Sequence, residues 1–334
     1  MECLRLSMNN FYLFESGTLK RKDKSIVYET KEAEHLIPIE QVDCLFCLGE
    51  VTLNKRILEL LNQYGIEILF FNYYGYLIGR FSPIHPGTGE IFLHQVRCYE
   101  SESRRLAVAK AIQEASLHNS LSVLKYYRKN GFDLNDQIHK MESIINQLDK
   151  VQTVTELLLH EANAKKVYYS GFDIILQGSL FQFNHRSLQP PENEVNSMMS
   201  FGYHLLYAVV LKELDMSRLY PEIAFIHSDI RKGPSLHYDL ADIYKPVLVD
   251  RMILRLIRRR QMTPNDFEDR NPGIYMKKES QKKYVQEFDM SFKRIIEYEG
   301  KSHSLKSILR GDIHKLTEYL EGKEPILKFY KAKW

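Results

Sequence analysis

The stretch Ser82-Pro83-Ile84-His85-Pro86-Gly87-Thr88-Gly89 divides this 334-residue chain into two parts whose apolar residues recur with different periods. Two prolines and two glycines in eight residues exclude a regular helix or strand there, because proline removes an amide donor and glycine adds backbone freedom. Before it, short apolar runs alternate with polar clusters, as in a sheet. Phe11-Tyr12-Leu13-Phe14 and Ser25-Ile26-Val27-Tyr28 flank Gly17 and the polar run Lys20–Lys24, which predicts a hairpin with an exposed loop. Leu36-Ile37-Pro38-Ile39 and Cys44–Leu48 continue the pattern. One helix interrupts it: Ile57, Leu58, Leu60, Leu61 and Tyr64 share a face, with Gly65 placed to cap its end. Ile66–Phe71 then reads as a buried strand, followed by a turn at Tyr73-Tyr74-Gly75-Tyr76.

From Phe92 onward the period is helical. Ile138, Met141, Ile144, Ile145, Leu148, Val151 and Val154 step toward Leu157 and Leu158, one helix is expected from about Glu194 to Glu213, and another starts near Asp239. The expected fold class is α+β: a β-rich domain over residues 1–91, including the linker 82–89, and a mainly α-helical domain over 92–334.

No apolar run reaches the roughly 18 residues that would cross a bilayer, and the Met-Glu-Cys-Leu-Arg start lacks the basic-then-apolar layout of a secretory signal. A cytoplasmic protein without membrane association is expected. Of the four cysteines, Cys3, Cys44, Cys47 and Cys98, two form a C-x-x-C inside the strand-like run Val42–Leu48, with no second pair at zinc spacing. They read as small apolar strand residues. The net charge of +3 conceals an asymmetry: Lys245–Trp334 carries 21 Lys and Arg against 13 Asp and Glu. A basic end suits a polyanionic partner, although a solvated surface gives the same count. There is no Walker loop, no G-x-G-x-x-G and no G-x-S-x-G.

Three polar segments do not fit their surroundings. Glu161 follows Val154, Leu157 and Leu158 by seven, four and three residues, which puts it on the apolar face of its helix. A carboxylate facing a core needs a partner or a cation; the alternatives are a helix end already in solvent, or an ion pair with Lys165. His227 closes the apolar run Pro221–Ile226, where a histidine is either a ligand or a satisfied core residue. Asp239 and Asp242 project to one side of a helix start. Asp239 could simply cap that helix, whereas Asp242 lies a turn further in, between Leu240 and Ile243. A Glu, a His and an Asp together form a donor set suited to Mg²⁺ or Mn²⁺. Beyond Asp242, the residues Arg251, Arg255, Arg258 and Arg259 line one helix face opposite Ile253, Leu256 and Ile257. That stripe suits phosphate contacts or a solvated basic face; Arg186 and Lys245 are further DNA-binding candidates. Tyr168, Tyr169 and Tyr238 adjoin the proposed ligands and could stack on a base, order water or pack in the core.

At these positions the chain resembles the CRISPR adaptation integrase family along nearly its whole length. Phe14-Glu15-Ser16-Gly17-Thr18-Leu19, Ile37-Pro38-Ile39 and Gly65–Phe71 followed by Gly75 and Gly79 resemble its N-terminal stretches. His160-Glu161-Ala162-Asn163-Ala164-Lys165 resembles the segment carrying the family's metal-binding glutamate, although the family often has glycines where this chain has His160 and Ala162. Arg186–Gly202 resembles the segment before its central helix, Phe225-Ile226-His227 and Asp239-Leu240-Ala241-Asp242 resemble its histidine and aspartate segments, and the tyrosine-rich Asn72–Tyr76 resembles type I systems.

The resemblance implies a β-rich dimerisation domain and a helical catalytic domain. It implies a homodimer that joins the small partner Cas-two in a heterohexameric integration complex. Glu161, His227 and Asp242 would be the metal-binding catalytic residues, with Asp239 a neighbour. It implies a DNA endonuclease and integrase of spacer acquisition, acting on double-stranded fragments and CRISPR repeat DNA. A 3′-hydroxyl of the fragment would attack a repeat phosphodiester by transesterification; with water as nucleophile the same site would hydrolyse DNA.

Overall fold

The computed structural model describes residues 9–84, 89–227 and 233–334. Four linker residues, 85–88, lie outside the described residues, as do Cys3 and the Ser228-Asp229 pair after His227. The chain divides into two compact units, Met1–Gly87 and Thr88–Trp334.

The N-terminal unit holds β1 (Asn9–Leu13), β2 (Gly17–Lys22), β3 (Ser25–Thr30), β4 (Glu34–Pro38), β5 (Val42–Cys47), β6 (Val51–Leu53), α1 (Lys55–Tyr64), β7 (Glu67–Phe71) and β8 (Leu77–Phe81). They form two four-stranded sheets in the orders β4-β3-β2-β6 and β1-β5-β7-β8. Leu19, Ile26, Leu45, Ile57, Leu60 and Ile68 are wholly buried in the core that the sheets share with α1. The Asn54 side chain accepts the Ile57 amide at 3.2 Å to start α1, and Gly65 ends it at φ +68°, a left-handed conformation that glycine adopts without strain.

The hairpin differs from its sequence reading. Phe11–Leu13 does not enter it: β1 pairs with β5 in parallel, and the hairpin strand is Gly17–Lys22 itself, paired antiparallel to β3. The basic residues Lys20, Arg21 and Lys22 form an exposed strand end, with Lys20 paired to Glu29. Only Leu19 in β2 faces the core, so its alternation was too short to be seen. Cys44 and Cys47 are buried free thiols in β5, and the Cys47 thiol is pushed up to about 12 by burial.

The C-terminal unit contains α2 (Gly89–Glu100), α3 (Glu102–Lys129), α4 (Asn135–Gln147), α5 (Val154–Leu176), α6 (Glu194–Ser217), α7 (Leu236–Tyr244) and α8 (Arg251–Arg258). Two short hairpins, β9 (Phe267–Arg270) with β10 (Gly273–Met276) and β11 (Ile295–Tyr298) with β12 (Lys301–Ser304), alternate with α9 (Lys278–Lys293) and α10 (Leu305–Leu320). These four-residue strands carry too little apolar alternation to interrupt the helical reading of this half. The apolar stripe from Ile138 to Leu158 belongs to two helices, because the Thr153 hydroxyl accepts the Glu156 amide at 3.1 Å and begins α5 afresh.

α6 is buried on nearly every side, as expected of a helix running through a core. α7 packs against both α3 and α6. Asn119 of α3 donates to the carbonyls of Ile243 at 2.7 Å and Tyr330 at 3.1 Å, while its oxygen accepts the Ala332 amide at 2.7 Å. Ser116 donates to the Asp242 carbonyl at 2.9 Å. The backbone carrying Asp242 is thereby fixed from behind. Between α7 and α8, Lys245–Asp250 forms a π-helical turn. Among the described residues, no helix is long and apolar enough to cross a membrane.

Candidate functional site

Glu161 lies in the middle of α5, which removes the reading of it as a helix end that has reached solvent. Asp242 lies on α7, and His227 on the segment leading toward that helix. The fold brings the three together: each offers one ligand atom, and these atoms lie within 4.8 Å of one another. Glu161 and Asp242 are 5% and 4% exposed, so their charges are largely removed from water.

Asp239 is the second aspartate of this helix turn, but its oxygens are directed elsewhere. One accepts the amides of Phe225 at 2.8 Å and Ile226 at 2.9 Å. The other accepts the His227 amide at 3.1 Å and lies 2.7 Å from His227 Nδ1. Asp239 therefore does not cap its own helix, which begins after Ser235; it ties down the histidine segment. With Nδ1 held there, Nε2 is the ring nitrogen left for a ligand.

Two lysines balance the carboxylates. Lys165 bridges Glu161, one turn earlier on α5, and Asp242 at 3.2 Å; Lys245 pairs with Asp242 from the first residue of the π turn. The ion pair of Glu161 with Lys165 and the clustering of the three candidate ligands, alternatives in the sequence, thus coexist. Burial pushes the Asp242 carboxyl upward, but Lys165, Lys245 and His227 outweigh it and hold the group well below the usual carboxylate range. Burial also lowers His227, yet its bond to Asp239 and the charges of Asp242, Asp239 and Glu161 leave it raised.

Behind the carboxylates lies a polar core that the sequence did not reveal. Asp250, 1% exposed, accepts from Tyr203 at 2.6 Å and Tyr168 at 3.1 Å, and Tyr169 meets Tyr203 hydroxyl to hydroxyl at 3.2 Å. Burial lifts Asp250 to about 7, partly offset by the two tyrosine bonds. Tyr203 and Tyr207 cradle the Lys245 ammonium, their ring centroids 5.0 and 4.8 Å away. Tyr238 packs on Tyr207, with ring centroids 4.6 Å apart. Asp250 could have been suspected as a carboxylate inside the apolar run Val247–Leu254; Tyr203 and Tyr207 carried no signal beyond helical spacing.

The DNA-binding candidates separate into two groups. Arg251, Arg255, Arg258 and Arg259 line one groove together with Arg294, with a cavity of about 470 Å³. Their apolar counterparts Ile253, Leu256 and Ile257 are buried. Arg251 lies over Tyr126 and Trp334, at 4.4 and 4.1 Å from the ring centroids, and Arg255 pairs with Glu287 at 2.7 Å. Arg258 and Arg259 are exposed. Arg186 is not in this groove: it donates to Asn196 at 2.9 Å and Ser200 at 3.0 Å and braces the segment before α6. Lys245 belongs to the carboxylate cluster instead.

The family model described as CRISPR associated protein Cas1 matches residues 11–290. A CRISPR-associated endonuclease Cas1 of Thermodesulfovibrio yellowstonii is 33% identical over 323 residues, covering 96% of this chain and 98% of that protein. The solved structure of a Cas1 protein from Thermotoga maritima superposes with a TM-score of 0.86 at 32% identity, covering 97% of this chain and all of that one. A casposase bound to integration product shares the fold at a TM-score of 0.86, with 21% identity over 98% of this chain and 94% of that one. The fold and the sequence together define a CRISPR-associated protein. The chain belongs to the Cas1 family.

Proposed function

We propose that the chain is a metal-dependent DNA endonuclease and integrase of CRISPR spacer acquisition, with Glu161, His227 and Asp242 as the ligands of Mg²⁺ or Mn²⁺. The observation that carries this reading is the convergence of one ligand atom from each residue within 4.8 Å. The donor set fits the ion: two carboxylates that would repel one another without a cation, and one imidazole oriented through its other nitrogen by a carboxylate. When bound, a divalent cation stabilises negative charge on a phosphate and makes a hydroxyl easier to deprotonate.

The chain's own residues do the rest. Asp239 holds the His227 ring and its backbone in place. Lys245, confined between two tyrosine rings, keeps a fixed positive charge beside Asp242, suited to an anionic phosphodiester. The Arg251, Arg255, Arg258 and Arg259 groove supplies a cationic track for the DNA backbone. The reaction is attack of a fragment's 3′-hydroxyl on a repeat phosphodiester, with hydrolysis when water replaces the hydroxyl. The homodimer and the Cas2-containing complex belong to the same reading.

The test supplies short duplexes with free 3′-hydroxyls and a repeat-containing target, in Mg²⁺ and in Mn²⁺. Joined products that vanish in Glu161→Ala and Asp242→Ala support the proposal. Cleavage without joining reduces it to a nuclease, and activity that survives both substitutions removes the metal site from the chemistry.

A further inference from the structure

The two lysines at Asp242 are held differently. Lys245 has 14% of its side chain exposed, and its ammonium is confined by the Tyr203 and Tyr207 rings. Lys165 has 39% exposed and lies against both Glu161 and Asp242, two of the three residues that offer ligand atoms to one point. Glu161 and Lys165 stand four apart on α5, the ordinary reach of a helical Glu–Lys pair. An ammonium between these two carboxylates fills the electrostatic position that a metal ion would take.

Buried carboxylates left without a counter-charge destabilise a fold, so the site requires a cation even before a metal arrives. Lys245 meets it in part at Asp242, and Lys165 meets it at Glu161 and Asp242 together. A divalent ion at the same carboxylates would repel the ammonium at short range. The two side chains differ in how they can respond. With 39% of its side chain exposed, Lys165 has solvent beside it to move into, whereas Lys245 is enclosed.

We propose that Lys165 is an internal competitor of the divalent ion: it neutralises Glu161 and Asp242 in the metal-free protein and is displaced toward solvent when the ion binds. This rests on the reading of Glu161, His227 and Asp242 as the ion's ligands. Part of the intrinsic metal affinity is then lost to opening the lysine bridge, as for any ligand whose binding-competent state is only partly populated.

The experiment is a Mn²⁺ titration of the full chain, read by the loss of the free-ion electron paramagnetic resonance signal. Wild type is compared with Lys165→Met, Lys165→Gln and Asp242→Asn, alongside thermal melts with and without Mn²⁺. The expected result is about tenfold tighter Mn²⁺ binding in both Lys165 variants, with a lower metal-free melting temperature and a larger rise on adding Mn²⁺. Binding no tighter than wild type in both Lys165 variants, with binding lost in Asp242→Asn, overturns the competitor role and leaves the ligand reading intact. Wild-type binding in Asp242→Asn overturns the ligand reading and this inference with it.

Discussion

His227 Nδ1 lies 2.7 Å from Asp239 Oδ1, and the same carboxylate accepts three successive backbone amides, those of Phe225, Ile226 and His227. One buried side chain thus sets both the path of the histidine segment and the rotation of its ring. Replacing Asp239 with Ala is expected to lower Mn²⁺ affinity by about 10–100-fold, the usual effect of losing a carboxylate behind a metal-binding histidine. Calorimetric titration checks this, and affinity equal to wild type would show that the ring is oriented by something else.

Glu161 and Asp242 should respond to loss of charge rather than loss of volume. Glu161→Gln and Asp242→Asn are expected to lower DNA joining by at least about two orders of magnitude, the scale of removing one electrostatic stabiliser from an active site. Both should remain folded by circular dichroism. Joining by either variant at a tenth of the wild-type rate or more would contradict the assigned role.

Two buried aspartates, Asp250 behind the site and Asp312 of α10, which accepts from Tyr244 at 2.6 Å, make stability fall with pH. Burial raises Asp250 to about 7 and Asp312 to about 6, in each case against hydrogen bonds that pull the other way. A raised folded-state value means that the folded chain holds its proton more tightly than the unfolded chain. The contribution is therefore complete below about pH 4, the unfolded carboxylate value, and is lost as pH rises through 6 and 7. Melting temperatures across this window should decline less steeply in Asp250→Asn and Asp312→Asn than in wild type. Parallel curves would mean that neither proton is taken up on folding.

The Tyr203 hydroxyl donates to Asp250 at 2.6 Å, while its ring helps hold Lys245. Tyr203→Phe keeps the ring and removes the donor, so it should cost about 1–3 kcal/mol of stability. Joining activity should be largely retained. A variant of wild-type stability that has lost activity would instead place the hydroxyl in the chemistry.

The arginine groove should act through phosphate charge. Replacing the exposed Arg258 and Arg259 by Ala is expected to weaken duplex binding irrespective of sequence. It should also flatten the dependence of log affinity on log salt by about 0.9 for each phosphate that is no longer neutralised. Fluorescence anisotropy at several salt concentrations measures the slope, and an unchanged slope would assign these arginines to solvated surface.

Periodicity carried the β-rich character of the first part, the helical character of the second and the apolar backing of the arginine stripe. It carried less where a strand is short or one face is basic, as in β2 and the two late hairpins. Glu161 was legible because a carboxylate on an apolar helix face contradicts its surroundings. His227 and Asp242 were weaker signals that gained weight through the family resemblance. The partners of these residues were not legible: Tyr203 and Tyr207 look like ordinary core aromatics, and Asn119 like a polar residue on a long helix. Their roles arise from contacts across more than a hundred residues in the case of Asn119 and Ile243, for which no local pattern exists. Arg186 shows the converse, since a free-looking arginine in the sequence is tied to α6 by Asn196 and Ser200.

The widened turn at Lys245–Asp250 joins the helix that carries Asp242 to the helix that carries the arginines without forcing one phase on both. In an unbroken α-helix each residue advances about 100° around the axis, so the bearing of Asp242 would dictate that of Arg251 and every arginine after it. The looser coil resets that phase, and the carboxylate and the arginines can each point where their own neighbours require. Deleting a single residue from this turn would leave both sets of side chains present yet rotate one against the other, uncoupling them without removing an atom of either.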